Sequence, residues 1–449
     1  MDDHAKVRRL AKRAQQAEQA WNWHKAASLY EACCELEPNN VRWATNLANC
    51  LWLADEAHDP RAVNACRRAC RLAPGYYKPW LGLGHLYRDL ERHHEAELAY
   101  AYAMDVSDTE SEAEIAWSRS QNLIGLQQYT KAYALAEKRL ELADRLQPYR
   151  SGPYWEGWPT NSARSRLPKE ITIWTEQGFG DTLQYVRWLL PLLKEGVKVT
   201  LEAESTLVRL LEEGLRWTGG QLKVVSKQQQ TRPDLVGGIC QGSLMSLPAR
   251  LGGAPLSEAF EQQRGYLRLD PKPDYWPGKF KPQRTPRVGL VWASGNKNSD
   301  AIIAREYARR SLPRSAVEQL ILTLSKEGAE LISLQYGHDQ DRAGNLARVF
   351  SDQLPASADF YETAEWMESL DLIVSVDTAY AHLAGALRRQ TWVLLPKGPD
   401  PRWAQTEARQ NWYQTVTHMY QDQPKDWQGL TKQVARKYRQ WKNAHAISQ

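Results

Sequence analysis

Residues 80–103 read WLGLGHLYRDLERHHEAELAYAYA. Large and small residues recur at fixed offsets: Trp80, Leu83, Gly84 and Tyr87, then Ala96, Tyr100 and Ala103. Each group keeps a helical period and a polar stretch separates them, so the segment predicts two amphipathic helices joined by a short turn.

The same spacing returns, degraded, at Leu10, Ala14, Ala17, Ala26, Tyr30, Cys33 and Pro38. It returns again at Ala44, Leu47, Ala48, Leu51, Ala62, Cys66, Ala69 and Pro74, and more weakly at Ala116, Leu123, Ala132 and Ala136. The pattern resembles the tetratricopeptide repeat almost position for position. It predicts three to four stacked helix pairs, a short solenoid filling residues 1–146. The concave face of such an array can hold a peptide; alternatively the module serves as a support or for dimerisation.

The 449 residues exceed what one core organises, and three domains are expected. Lys and Arg number 58 against 53 Asp and Glu, a formal net charge of +5 with both signs mixed along the chain. That balance argues against a dedicated nucleic-acid binder. There is no run of about 18 apolar residues, and the opening MDDHAKVRRLAKRAQQ is polar, so a cytoplasmic location is expected. Five of six cysteines (Cys33, Cys34, Cys50, Cys66, Cys70) crowd into the first 70 residues and read as reduced packing residues. Cys66 and Cys70 have no second Cys/His pair to complete a metal site. Most of the 19 tryptophans read as core bulk, with a minority lining a groove for a flat or sugar-like ligand.

From Gln147 the texture changes. A turn-rich linker leads to ITIW (171–174), VKVTLE (197–202) and LKVV (222–225), alternating with helical stretches. The Pro-rich segment 270–287 precedes a second alternation: VGLVWA (288–293), AELISLQ (329–335), DLIVSVD (371–377) and TWVLLP (391–396). The expected fold class is therefore α plus α/β: a helical solenoid, then two Rossmann-like halves at 147–275 and 276–430 with a cleft between them. A basic amphipathic helix at 431–449 is expected to cross back to the first half rather than dock on a membrane.

Two loops carry the chemistry. TEQGFGDT (175–182) turns a buried strand into a helix; Gly178 and Gly180 permit close approach, and Asp181 lies near the helix start, either as a cap or facing a ligand. In SVDTAYAHLAGAL (375–387), Asp377 and Thr378 end a strand and small residues open a helix whose first amides can hold a phosphate, with His382 one turn on. DQD (339–341) reads as a solvated turn rather than a metal pair.

QGFGDTLQYVRWL, SLPARLG, RVGLVWASG, RRSLP, ISLQYG, LDLIVSVDTAYAHLAGALRRQTWVLLP and PDPRW, in this order, resemble the tetratricopeptide-containing relatives of the ADP-heptose:lipopolysaccharide heptosyltransferases over about residues 165–430. The resemblance implies a GT-B fold and metal-independent, inverting sugar transfer from a nucleotide-diphosphate donor, with no cofactor. It assigns Asp181 as catalytic base, with Gly178, Gly180 and Gln184 on the acceptor side of the cleft. Asp377, Thr378, Ala379 and His382 form the donor turn. Lys297, Arg309 and Arg310 compete to neutralise the diphosphate, with Arg402 in reserve. Gln335 and Tyr336 stand where a nucleoside is read or where a turn simply closes, and Trp403 either covers the donor or packs. The implied partners are a nucleotide sugar, a glycan or protein acceptor, and a protein on the repeats. A degenerate nucleotide- or glycan-binding scaffold and a nucleotide-sugar epimerase are the alternatives.

Overall fold

The computed structural model describes residues 3–142, 154–156, 167–227, 240–252, 265–270, 285–295, 300–404 and 412–447. The breaks expected at 147–169 and 270–287 lie mostly outside them. The chain forms two compact units.

In the first unit, α1 (Asp3–Gln19) pairs with α2 (Trp23–Leu36), α3 (Val41–Leu53) with α4 (Pro60–Leu72), α5 (Tyr77–Asp89) with α6 (His93–Asp105), and α7 (Thr109–Gly125) with α8 (Tyr129–Ala136). The small and aromatic repeat positions are buried: Ala26, Tyr30 and Cys33, then Ala62, Cys66 and Ala69, then Ala96, Tyr100 and Ala103. Gly84 is required by its neighbour, because a Cβ there would meet the Tyr100 ring at 2.5 Å. All five early thiols are free and buried, and burial pushes Cys34 up to about 11 and Cys70 up to about 12.

Each hairpin turns in the same way. Trp21, Asp55, Glu91 and Gln127, 34 to 36 residues apart, all have φ between 54° and 61°. The next amide reaches back five residues: Asn22 to Ala17, Glu56 to Leu51, Arg92 to Tyr87 and Gln128 to Leu123, at 2.8–2.9 Å. This closure satisfies helix-end carbonyls at the cost of a left-handed side-chain-bearing residue, about 1–2 kcal/mol each. The recurrence is a second, conformational proof of the repeat.

The second unit holds two parallel sheets. In the first, β1 (Glu170–Trp174), β2 (Lys198–Ala203), β3 (Leu222–Ser226) and β4 (Cys240–Ser243) stand in the order β3-β2-β1-β4, with Ile171 opposite both Val199 and Cys240. Its helices are α9 (Phe179–Tyr185), α10 (Leu190–Lys194), α11 (Ser205–Gly214) and α12 (Leu247–Arg250). The second sheet comprises β5 (Arg287–Val291), β6 (Glu330–Ser333), β7 (Asp352–Gln353), β8 (Leu372–Val376), β9 (Thr391–Leu395) and β10 (Val416–Tyr420), ordered β10-β9-β8-β5-β6-β7. Helices α14 (Arg314–Lys326), α15 (Phe360–Glu368), α16 (Ala379–Ala386) and α17 (Trp427–Ile447) accompany it, while α13 (Ala301–Arg310) falls, up to Arg309, in the first unit. Every residue of β8 and β9 is buried, as a parallel sheet covered on both faces demands.

Helix α17 corrects one expectation. Its stripe of Trp427, Leu430, Val434 and Tyr438 joins the core of the second sheet and α14, and Arg439 pairs with Glu327 at 2.9 Å. The helix buttresses the second half because that stripe matches the apolar face α14 leaves open.

The described residues 300–309 and 397–404 belong to the first compact unit, although they interrupt the second half in sequence. The reason is a buried ionic knot. Arg305 stacks 4.5 Å over Trp52, donates to its carbonyl at 2.6 Å, and meets Asp89 Oδ2 at 2.5 Å. Trp52 Nε1 donates to the same carboxylate oxygen at 2.8 Å. Arg309 Nε meets Asp55 at 2.9 Å, and Lys397 meets Glu91 at 2.5 Å, so two of the left-handed turn residues bind these segments. Burial alone would raise the Asp89 carboxyl, but Arg305, Arg309 and Arg88 outweigh it and hold the group far below the usual carboxylate range.

Candidate functional site

The TEQGFGDT loop leaves β1 through Gln177, which carries the left-handed backbone (φ 64°). Gly178 is extended (φ −90°, ψ 169°), so neither glycine is there for a positive φ. Gly180 serves a close approach instead. A Cβ on it would come 2.9 Å from His382 Cδ2, 3.6 Å from Ala379 Cα and 3.6 Å from His382 Nε2. Helix α9 of the first sheet thus packs on α16 of the second, and the two loops singled out in the sequence meet.

Asp181 is the third residue of α9, and its Oδ2 accepts the Gly178 N–H at 3.1 Å. The carboxylate thereby caps the turn from inside the helix. Beside it, Thr182 Oγ1 is buried with no hydrogen-bond partner among the described residues. Gln184 is buried, and its carbonyl accepts from Arg187 Nε at 3.0 Å.

Across the contact, Thr378 caps α16: its Oγ1 accepts the Tyr380 N–H at 3.2 Å and lies 3.2 Å from Ser375 Oγ. Ala379 opens the helix. Asp377 is 5% exposed, and Arg310 Nη1 stands 3.5 Å from its Oδ2. The Arg310 side chain is partly exposed beside the end of β8. His382 is buried, with Nδ1 2.7 Å from the Tyr413 hydroxyl.

Other expected donor residues stand differently. The Gln335 side chain is consumed by its own neighbourhood: Oε1 accepts from the Trp292 and Ala293 amides at 2.9 Å, and Nε2 donates to the Ala293 and Tyr336 carbonyls. It staples the ends of β5 and β6, while Tyr336 is 54% exposed. Arg309 sits in the ionic knot of the first unit, where Trp403 is fully buried and Arg402 pairs with Asp400. Lys297 lies outside the described residues. Asp339 of DQD pairs with Arg342 at 2.9 Å. Among the described residues no group of three or more His, Cys, Asp or Glu is placed to hold a metal ion.

Two features were missed in the sequence. Phe179 meets Phe360 edge-on at 5.1 Å, and Phe360 meets Tyr380 at 5.9 Å, making an aromatic ledge beside both loops. Burial pushes the Tyr380 phenol up to about 12. The second feature is Arg187, buried between the rings of Tyr266 and Tyr413 at 4.7 Å each and donating to the Trp412 carbonyl at 2.8 Å. A charge inside the apolar run LQYVRWLL was its legible trace; its aromatic partners lie far along the chain.

No protein-family profile matches the chain, and no curated protein does. Among solved structures, a Thermobaculum terrenum O-GlcNAc transferase mutant is 12% identical over 97% of this chain and 91% of its own, with a TM-score of 0.33. MamA is 20% identical over 30% of this chain and 77% of its own, with a TM-score of 0.28. The Arabidopsis OM64 TPR domain is 18% identical over 27% of this chain and 96% of its own, at 0.24. Likenesses this weak add nothing to the architecture, helix-pair repeats followed by two parallel-sheet α/β regions, which rests on the turn spacing and strand orders above. No helix among the described residues is long and apolar enough to cross a membrane.

Proposed function

We propose that this chain is a glycosyltransferase of the heptosyltransferase-like, inverting, metal-independent kind, moving a sugar from a nucleotide-diphosphate donor to a hydroxyl of a glycan or protein. The observation that carries the reading is the contact of Gly180 with His382 and Ala379, which brings the Asp181 turn of one α/β half against the α16 tip of the other. Inverting transfer needs a base on one face of the sugar and positive charge where the diphosphate departs on the other. Asp181 is the base in this reading. The first amides of α16, capped by Thr378, together with Arg310, receive the diphosphate. The ledge of Phe179, Phe360 and Tyr380, with exposed Tyr336, suits the flat face of a base or sugar.

The turns of the second and third hairpins hold the chain's own segments through Asp55, Asp89 and Glu91. This favours a supporting role for that part of the array, and recruitment of an acceptor or partner protein falls to its remaining surface.

A panel of UDP-, GDP- and ADP-sugars tests the reading by thermal shift and by nucleotide release. One donor class is expected to raise the melting temperature and to release nucleotide diphosphate with acceptor present, equally in EDTA. Binding without release would favour the scaffold, and altered sugar without glycoside the epimerase.

A further inference from the structure

An open cavity of about 470 Å³ lies in the first unit, at the turns of the first and second hairpins. Trp21, Asn22, Trp23 and His24 of the first turn line it together with Asp55 and Arg305. Its size and its mix of aromatic and polar groups are those of a small-molecule site. The sister turns at Asp55 and Glu91 carry carboxylates where the first carries an indole. Arg309 and Lys397 take those carboxylates, whereas Trp21 is 42% exposed. Among the described residues the side chains of Trp21 and Trp23 enter no hydrogen bond, ring pair or cation contact, so both indole N–H groups and the exposed Trp21 face remain for a ligand. Asn22 spends its Oδ1 on the Lys25 amide at 3.2 Å in capping α2, which leaves its NH₂ as a further donor.

The charges of the lining decide the class of ligand. Asp55 meets Arg309 Nε at 2.9 Å and Arg305 Nη2 at 3.5 Å, Arg305 also pairs with Asp89, and the His24 ring lies 3.3 Å from Glu56. Each ionic group is matched by an opposite one, and the site offers neither a cation nor an anion a counter-charge. A flat apolar face rimmed by N–H donors fits a neutral pyranose, whose C–H face stacks on an indole and whose hydroxyl oxygens accept hydrogen bonds. We propose that this cavity is a saccharide-binding site of the repeat array, with Trp21 as the stacking platform and Asn22 and Trp23 as donors to sugar hydroxyls. It goes beyond the transferase reading and does not depend on it.

Titration calorimetry of the full chain without donor, using cellobiose, lactose, methyl α-mannoside and N,N′-diacetylchitobiose, tests the site. At least one of these is expected to bind, and Trp21→Ala to weaken it about 3- to 10-fold, as loss of an aromatic contact does. Trp21→Phe, which keeps a flat ring, should recover most of that loss. In the wild-type chain the Trp21 indole N–H resonance, assigned by its loss in Trp21→Phe, should shift as the sugar is added; this reading holds even if Trp21→Ala fails to fold. The proposal is overturned if no saccharide of the panel binds, or if Trp21→Ala binds as tightly as wild type. It is equally overturned if the Trp21 resonance moves with tetramethylammonium chloride or sodium glucuronate and not with the sugars. None of these readouts needs turnover, so a chain that transfers no sugar would sink the transferase reading alone.

Discussion

Asp181→Asn is expected to lower kcat by about 10²- to 10⁴-fold, the span a positioned general base contributes. Asparagine keeps the shape of the side chain, and its carbonyl oxygen can still accept the Gly178 N–H that Asp181 Oδ2 takes at 3.1 Å. The α9 turn therefore persists, with a stability change within about 1 kcal/mol as for a conservative cap replacement. Donor affinity should hardly change, because the proposed reading assigns the diphosphate to α16 and Arg310 rather than to Asp181. Steady-state kinetics beside a melting curve separate the two effects. Turnover equal to wild type would remove Asp181 from the chemistry and leave it a helix cap.

The second large effect is on stability. Asp89→Ala should destabilise the first unit by about 3–5 kcal/mol, since it removes the buried carboxylate that Arg305 and Arg309 share and leaves these buried guanidiniums only the less buried Asp55 and Glu306. Urea unfolding followed by the fluorescence of Trp43 and Trp52, both buried in that unit, measures it. A loss below about 1 kcal/mol would show that water or Asp55 compensates. The pH dependence has a definite sign. A carboxyl held down in the folded state contributes fully above its unfolded value near pH 4, and its contribution fades as the pH falls below that. Wild type and variant should therefore converge in acid.

The repeat was legible because helical burial imposes a period on small and aromatic residues, and Ala96, Tyr100 and Ala103 are buried where that period puts them. The left-handed turns were not, because Trp21, Asp55, Glu91 and Gln127 share a backbone conformation and no side-chain chemistry. The strands showed as apolar runs, since a sheet covered on both faces has no polar side to alternate with. Gly180 could be read as a site of close approach, but what approached it could not. His382 and Ala379 come from the other half, about 200 residues away in sequence. Arg309 has surroundings the sequence did not show for a related reason. An arginine between two strands reads as a phosphate ligand, and its pairing with Asp55 and Asp89, from a distant part of the chain, is visible only in the structure. The Gln335 amide likewise looked available until two backbone amides were found on its oxygen.

The position of a bound nucleotide tests the central claim most directly. A crystal structure with the donor class chosen by the thermal-shift panel is predicted to place the diphosphate on the first amides of α16 beside Arg310, with the sugar carbon turned toward Asp181. A nucleotide seated elsewhere, or a sugar facing away from Asp181, would contradict the claim that one site is built from these two loops.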